Sequence, residues 1–174
     1  MASVPGTVVY VGLGSNLDGP RAQVAAGMNE LAGLPGTEVE ACSSLYESEP
    51  MGPQDQPDYV NAVVRLRTAL APEALLDGLQ AIERSHGRQR TRHWGARTLD
   101  LDILLYGGQQ IAGPRLQVPH PGIAERSFVL YPLAELDSQL EIPGRGSVME
   151  LLSACPKGRL VRLNAAAGSV VYRR

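Results

Sequence analysis

Residues 94–106 read WGARTLDLDILLY and place two aspartates two positions apart inside an otherwise apolar run. A strand sends alternate side chains to opposite faces, so Asp100 and Asp102 share one face while Leu99, Leu101 and Ile103 share the other. Strand rise sets the two carboxylates about 7 Å apart. Ionising both costs free energy unless solvent, an arginine or a cation neutralises them. The stretch therefore predicts a sheet strand with one apolar face and one acidic face.

A divalent metal would neutralise this acidic face well, because Mg²⁺ is held by one or two carboxylates together with water and phosphate oxygens. An edge strand with two solvated aspartates would give the same pattern. The residues just before the strand favour phosphate binding, because arginine presents a planar fork of donors that matches phosphate oxygens. Five arginines and two histidines crowd there: Arg84, His86, Arg88, Arg90, Arg92, His93 and Arg97. A solvated basic loop is the alternative interpretation.

Length and composition favour a single domain over residues 1–174, with 44% hydrophobic and 20% charged residues. The net charge of -2 disfavours nucleic acid as a partner. No apolar run approaches the length of a membrane span, and no charged region followed by an apolar segment opens the chain. The two cysteines have neither metal-ligand spacing nor a disulfide framework. We therefore expect a cytoplasmic protein without a membrane partner.

The periodicity of the chain predicts six main elements. Residues 8–13 form a β-branched run typical of a buried strand, and residues 20–32 have helical spacing, with Asp18 as a candidate cap. Residues 39–46 and 59–68 alternate as strands, and a second helix follows Pro72 and stops at Gly87, before the aspartate strand. This β-α-β-β-α-β order predicts an α+β fold with a ferredoxin-like core, in which both helices cover one sheet face and the active site lies on the other, open face.

The strand over residues 59–68 adds two polar candidates to that open face. Its alternation sends Tyr59 and Asn61 to the side opposite its apolar residues, and we place that side with the aspartates. An aromatic ring and an amide could stack on and hydrogen-bond a flat heterocycle, although ordinary cross-strand packing is the alternative. Glu83 lies on the inner stripe of the second helix and could aim a carboxylate at the same site, or be solvated.

Several separated motifs together resemble the 6-hydroxymethyl-7,8-dihydropterin pyrophosphokinase family of folate biosynthesis. They are GSNL at residues 14–17, GPQDQPDYVN at 52–61, GR at 87–88, WGARTLDLDI at 94–103, VPH at 118–120 and ERSF at 125–128. The similarity covers residues 8–136 and leaves 137–174 as a C-terminal extension. Motifs in the right order are far more specific than any one of them.

The resemblance implies that ATP donates its β,γ-diphosphate to the hydroxymethyl group of a reduced pterin, with release of AMP. It implies two Mg²⁺ ions on Asp100 and Asp102, and a catalytic set of these two aspartates with Arg88 and Arg97. The implied ATP-binding residues are Gln80, Arg88, Arg90, Arg97, Ile103, Arg115 and His120. The implied pterin-binding residues are Ser48, Pro50, Met51, Tyr59, Asn61, Trp94 and Phe128. The arginine-rich loop with Trp94 resembles a lid, and we expect a monomer.

Two other functions fit parts of the sequence. A nucleotide-sugar glycosyltransferase can use Asp-x-Asp to hold a metal and a diphosphate, but this chain is short for a nucleotide domain plus an acceptor site. A ferredoxin-like RNA-binding module would stack bases on exposed sheet aromatics. Tyr59 is the one good candidate, and central acidic residues would repel phosphate in the absence of metal. Metal-dependent ATP binding without RNA retention would separate these functions.

Overall fold

An antiparallel sheet of six strands forms the centre of the computed structural model, which describes residues 6–50, 52, 54–87 and 98–163. The elements of this sheet and its helices are, in chain order, β1 (Thr7–Ser15), α1 (Pro20–Leu31), β2 (Thr37–Cys42), β3 (Tyr46–Ser48), β4 (Tyr59–Thr68), α2 (Pro72–Ser85), β5 (Asp100–Tyr106), α3 (Ser127–Leu136), α4 (Val148–Ala154) and β10 (Val161–Arg162). Two small hairpins complete the set: β6 (Ile111–Ala112) with β7 (Gln117–Val118), and β8 (Glu141–Ile142) with β9 (Gly146–Ser147). The sheet order is β10-β3-β4-β1-β5. Strand β2 pairs with the same edge of β4 as β3, along residues 64–68, whereas β3 pairs along residues 59–61. This is an α+β architecture with an antiparallel sheet.

The first two helices lie where their sequence patterns predict them. Both begin with a proline. Proline is well suited to the first helical turn, because a backbone N–H there would have no partner within the helix. The expected cap at Asp18 is wrong, because Gly19 occupies the N-cap in a left-handed conformation and no side chain caps the helix. The inner stripe of α2 buries Leu75, Leu79 and Ile82 against the sheet.

The strand predicted over residues 39–46 is two strands. In β2, Val39 pairs with Leu66 but Ala41 pairs with Arg65, so Glu40 is an extra residue that forms a bulge. After β2, the backbone N–H of Ser43 donates to the carbonyl of Val63 at 2.8 Å, and the Ser43 hydroxyl accepts from the N–H of Val63 at 2.9 Å. The side chain thus substitutes for backbone pairing, and the chain re-enters the sheet as β3.

Hydrophobic clusters lie on both faces of the sheet. On one face, Val9, Val11 and Leu13 of β1 pack under α1 and α2. On the other, Tyr10 and Leu104 pack under residues of α3 and α4. The expectation that the second face is open is therefore wrong where α3 and α4 cover it. The end of the same face that α3 leaves uncovered carries a cavity.

The C-terminal extension packs on this second face. Ile142 and Val148 are at most 1% exposed within the cluster under α3, and β10 adds a strand beside β3. A capping box between Ser147 and Glu150 begins α4. Within the described part of the chain, no helix combines the length and the apolar character that crossing a membrane requires.

Candidate active site

The floor of the candidate site consists of two glycines on β1. Gly12 pairs with Asp102 across the sheet, and Gly14 pairs with both Asp100 and Asn61. All five residues line one cavity of about 240 Å³ at the end of the sheet that α3 leaves uncovered. Because glycines carry no side chain, the space above the central strand stays open between the aspartates on one side and β4 on the other.

The two aspartates face the cavity together, as the alternation of β5 predicts. Asp102 has about half of its side chain exposed, and Leu99, Leu101 and Ile103 are buried on the opposite face. In the described part of the chain, no group of three or more metal-ligating side chains occurs. A pair of carboxylates that faces a polar cavity nevertheless fits Mg²⁺, which takes one or two protein carboxylates and completes its shell with water and substrate oxygens.

Glu83 supports the strand between the aspartates. Its side chain is buried, and one carboxylate oxygen accepts the backbone N–H of Leu101 at 2.8 Å. Because β5 is an edge strand of the sheet, this bond gives an outward-facing N–H a partner. Glu83 thus contacts the backbone between Asp100 and Asp102 from α2.

His120 stands beside the acidic pair, with its Nε2 at 3.9 Å from the Oδ2 of Asp102. Burial lowers the pKa of His120; the Asp102 carboxylate opposes this shift, and Arg126 adds to it. The Nδ1 atom accepts the backbone N–H of Gly122 at 3.0 Å, which assigns the proton of the neutral ring to Nε2. A neutral His120 therefore presents an N–H donor toward the acidic end of the cavity.

The other end of the cavity is aromatic and amide-lined. Asn61 is buried, and its Nδ2 donates to the Oγ of Ser48 at 2.7 Å. Tyr59 lies two register positions from Asn61, opposite Ser48 on β3, and Phe128 of α3 also lines the cavity. A flat, polar heterocycle fits such surroundings, because rings stack on aromatic faces and an oriented amide reads hydrogen-bonding edges.

A buried asparagine fixes the chain before Tyr59. Asn16, which follows β1, donates from Nδ2 to the Oε1 of Gln56 at 3.0 Å and to the carbonyl of Pro57 at 2.9 Å. Asn16 is only 1% exposed, so these bonds are shielded from water. The GSNL and GPQDQPDYVN motifs are therefore in direct contact, and their contact sets where β4 begins.

The structure brings together seven of the predicted site residues and separates others. The seven that line the cavity are Ser48, Tyr59, Asn61, Asp100, Asp102, His120 and Phe128. Pro50 lines an adjoining cavity of about 340 Å³ that shares Ser48 and Phe128 with the first. Arg115 contacts Gln80 at 3.3 Å on the surface of α2, where Asp77 and Glu73 also pair with it. The Ile103 side chain is buried on the opposite face of the sheet, under α1 and α2.

Five predicted site residues, Met51, Arg88, Arg90, Trp94 and Arg97, lie outside the described residues. Sequence reasoning also missed cavity residues: it gave no site role to Gly12, Gly14 or Arg126. The Arg126 guanidinium lies 5.7 Å from the centre of the Phe128 ring, a cation–π geometry. Its place two residues before Phe128 in the ERSF motif was the available signal.

Comparison with known proteins places this chain in a family. The family model described as 7,8-dihydro-6-hydroxymethylpterin-pyrophosphokinase (HPPK) matches residues 10–138. The chain is 53% identical over 158 residues to a Pseudomonas aeruginosa protein named 2-amino-4-hydroxy-6-hydroxymethyldihydropteridine pyrophosphokinase, covering 91% of this chain and 98% of the relative. A Haemophilus influenzae protein of the same name is 47% identical over 155 residues, covering 89% and 97%.

Solved structures agree on the fold. A crystal structure of Plasmodium falciparum HPPK-DHPS superposes with a TM-score of 0.66 at 13% sequence identity. The match covers 87% of this chain but 46% of that chain, so this chain spans about half the length of the solved protein. At this low identity the likeness concerns the fold alone, whereas the sequence relatives carry the assignment. The chain belongs to the 7,8-dihydro-6-hydroxymethylpterin-pyrophosphokinase (HPPK) family.

Proposed function

We propose that this chain transfers the β,γ-diphosphate of ATP to the hydroxymethyl group of 6-hydroxymethyl-7,8-dihydropterin, a step of folate biosynthesis. One observation carries the proposal: a single cavity joins a paired-aspartate end to an amide-lined aromatic end. The first end suits a metal-bound polyphosphate and the second a flat heterocycle. The family and the names of its close relatives point to the same reaction.

In the proposed reaction, the pterin hydroxyl oxygen attacks the β-phosphorus of ATP. The bond between that phosphorus and the oxygen it shares with the α-phosphorus breaks, AMP leaves with this oxygen, and the hydroxyl proton passes to an acceptor in the site. Such transfers depend mainly on alignment and charge stabilisation. The aromatic end holds the alcohol, and the aspartate end holds the triphosphate.

The proposed roles follow the position of each residue. Asp100 and Asp102 would hold two Mg²⁺ ions, which neutralise charge on the phosphates when bound. His120 would donate from Nε2 to a phosphate oxygen. The ring walls would be Tyr59 and Phe128, with Asn61 reading the polar edge of the pterin. The remaining assignments rest on the family resemblance: phosphate or nucleotide contacts by Gln80, Arg88, Arg90, Arg97, Ile103 and Arg115, and pterin contacts by Ser48, Pro50, Met51 and Trp94.

The same proposal extends to the organisation of the chain. The strand order β5-β1-β4-β2, with α1 and α2 on one face, supports a ferredoxin-like unit within the larger sheet. We propose one domain over residues 1–174, acting as a monomer. The free thiols Cys42 and Cys155 support a reducing compartment such as the cytoplasm, where ATP is available.

The test is AMP release from Mg-ATP by the purified protein, with and without 6-hydroxymethyl-7,8-dihydropterin, while the pterin diphosphate is followed in parallel. We expect AMP and pterin diphosphate in equal amounts, and only when the pterin is present. A folded protein that binds Mg-ATP but forms no AMP with the pterin would contradict the proposal. Release of AMP at the same rate without pterin would contradict it as well.

A further inference from the structure

A carboxylate on α3 gathers three separate parts of the chain outside the cavity. Glu135 accepts the backbone N–H of Ser44 at 3.0 Å, the Ser44 hydroxyl at 2.9 Å and the Tyr46 hydroxyl at 2.7 Å. The guanidinium of Arg162, on β10, donates to the same carboxylate at 3.2 Å and to the Ser44 hydroxyl at 3.0 Å. Glu135 therefore ties α3 to the start of β3 and to the C-terminal strand.

These bonds are stronger than typical surface interactions. The Glu135 side chain is 22% exposed, and bonds to an ionised acceptor in partly buried surroundings exceed neutral ones. Burial raises the pKa of the Tyr46 phenol, and the hydrogen bond and charge of Glu135 raise it further. Tyr46 thus stays protonated and keeps donating over the physiological pH range.

Two of the elements tied by Glu135, β3 and α3, carry residues that line the aromatic end of the cavity. On β3, Tyr46 pairs with Asn61 and lies two residues before Ser48, whose hydroxyl accepts from Asn61. On α3, Phe128 lies seven residues before Glu135, about two helical turns away on the same face. A change in the spacing of α3 and β3 would therefore change the width between Phe128 and the β4 wall.

We infer that Glu135, with Arg162, is a positioning residue for the aromatic end of the site: it fixes α3 against β3 and so sets the gap that the pterin enters. The inference rests on the proposed function. It gives the C-terminal extension a role in substrate binding, because Arg162 lies beyond the 10–138 stretch that the family model matches. Arg162 is not among the residues that line the cavity, so its effect passes through Glu135 and Ser44.

Glu135→Gln tests the inference with little change in shape. The amide nitrogen of glutamine cannot accept a hydrogen bond, so one of the donors loses its partner and Arg162 loses its counter-charge. We expect the Kd for 6-hydroxymethyl-7,8-dihydropterin, measured by calorimetry with Mg²⁺ and α,β-methylene-ATP, to rise about tenfold. The Kd for the nucleotide should stay within about twofold, because the aspartate end is not attached to this network.

Glu40→Gln is the matched control. Glu40 is also a partly buried carboxylate, 17% exposed, and it pairs with Arg65 and Arg67 at the far end of β4. Both variants should lower the melting temperature, but Glu40→Gln should leave the pterin Kd unchanged. Arg162→Ala removes an exposed guanidinium, poses little risk to folding, and should weaken pterin binding in the same direction.

The outcomes separate the inference from the proposed function. Selective loss of pterin affinity in Glu135→Gln and Arg162→Ala, absent in Glu40→Gln, supports the positioning role. If the wild-type protein forms pterin diphosphate and Glu135→Gln leaves the pterin Kd unchanged, or weakens both ligands equally, the inference alone is overturned. If the wild-type protein neither binds the pterin nor forms its diphosphate, the proposed function fails and this inference fails with it.

Discussion

Asp102 is the single residue on which the proposed chemistry depends most. About half of its side chain is exposed, so it contributes little to packing, and asparagine has nearly the same shape. Asp102→Asn should therefore fold normally but lower kcat for AMP release by at least about a hundredfold, because a charge that holds Mg²⁺ is lost. The measurement is the rate of pterin-dependent AMP release at saturating Mg-ATP.

Asp137→Asn is a suitable control for this substitution. Asp137 follows α3 away from the cavity, and its Oδ1 accepts the backbone N–H of Gln139, a bond that asparagine can keep. We expect wild-type kcat in this variant. A folded Asp102→Asn protein with near-normal kcat would contradict the assignment of the aspartates to metal binding.

The Tyr46 phenol leads to a prediction about how the stability of the protein depends on pH. Burial and Glu135 raise its pKa in the folded protein, whereas the unfolded chain has the ordinary value of about 10. The stability that this shift contributes is fully present below about pH 10 and is lost as pH rises toward the folded pKa. Tyr46→Phe should be less stable than the wild type at pH 8 by about 1 kcal/mol, and this gap should narrow above pH 10.

Urea unfolding of both proteins at pH 8, 10 and 11 measures the gap. Other groups that titrate at high pH are common to both proteins and cancel in the difference. A gap that stays constant over this range would show that the Tyr46 phenol ionises equally in the folded and unfolded chains, which contradicts a raised pKa in the folded protein.

Among the structural elements, the strands show what periodicity can and cannot predict. Alternation on β5 correctly placed Asp100 and Asp102 on one face, and alternation on β4 placed Tyr59 and Asn61 with them. Alternation failed where a bulge occurs, because one extra residue reverses the faces of all that follow. On β5, Val11 pairs with Ile103 and Tyr10 with Leu105, so Leu104 has no register partner on β1, and Leu104 and Leu105 both pack with α3.

The sequence pattern of residues 127–136 does not predict helix α3. Residues 127–136 are apolar nearly all round and contain Pro132, which lacks the N–H of an interior helical bond. What stabilises the helix is its burial, because Leu130 and Leu133 have no solvent exposure between the sheet and the C-terminal extension. Such contacts join residues far apart in sequence, so no local window contains them.

Strand β1 carries a prediction about the cavity floor. A Cβ on Gly14 would lie 3.2 Å from the Oδ1 of Asn61 and 3.7 Å from the Tyr59 ring, so Asn61 would have to shift by a few tenths of an ångström. Gly14→Ala should therefore raise the KM for the pterin about threefold to tenfold and leave the KM for ATP nearly unchanged. Steady-state kinetics with each substrate varied in turn measure both constants.

Gly108→Ala is the control for that substitution, because a Cβ there meets no atom within 4 Å. It should leave both KM values at the wild-type level. An unchanged pterin KM in Gly14→Ala, or an equal rise in both KM values, would contradict the placement of the pterin against Asn61.

In the molecule as a whole, one sheet supports two hydrophobic clusters and the candidate active site. The cluster under α1 and α2 and the cluster under α3 and α4 share the strands β1, β4 and β5, which contribute alternate side chains to each. Separating the clusters would expose one face of every shared strand. The composition predicted a single domain, and this sharing gives the physical reason to expect one cooperative unit.

Ile142→Ala tests that expectation from the C-terminal extension. Ile142 is 1% exposed, so the substitution should lower the free energy of unfolding by about 2 to 5 kcal/mol. Leu79→Ala, in the cluster under α1 and α2, should lower the free energy of unfolding by a similar amount.

Pulsed hydrogen exchange in urea tests whether the chain unfolds as one unit. If it does, peptides from α1 and from α4 should have the same unfolding midpoint, and either substitution should lower both midpoints equally. A shift confined to the peptides of α3 and α4 in Ile142→Ala would mean that the extension unfolds on its own, because the shared strands would then keep their pairing while one face lost its cover.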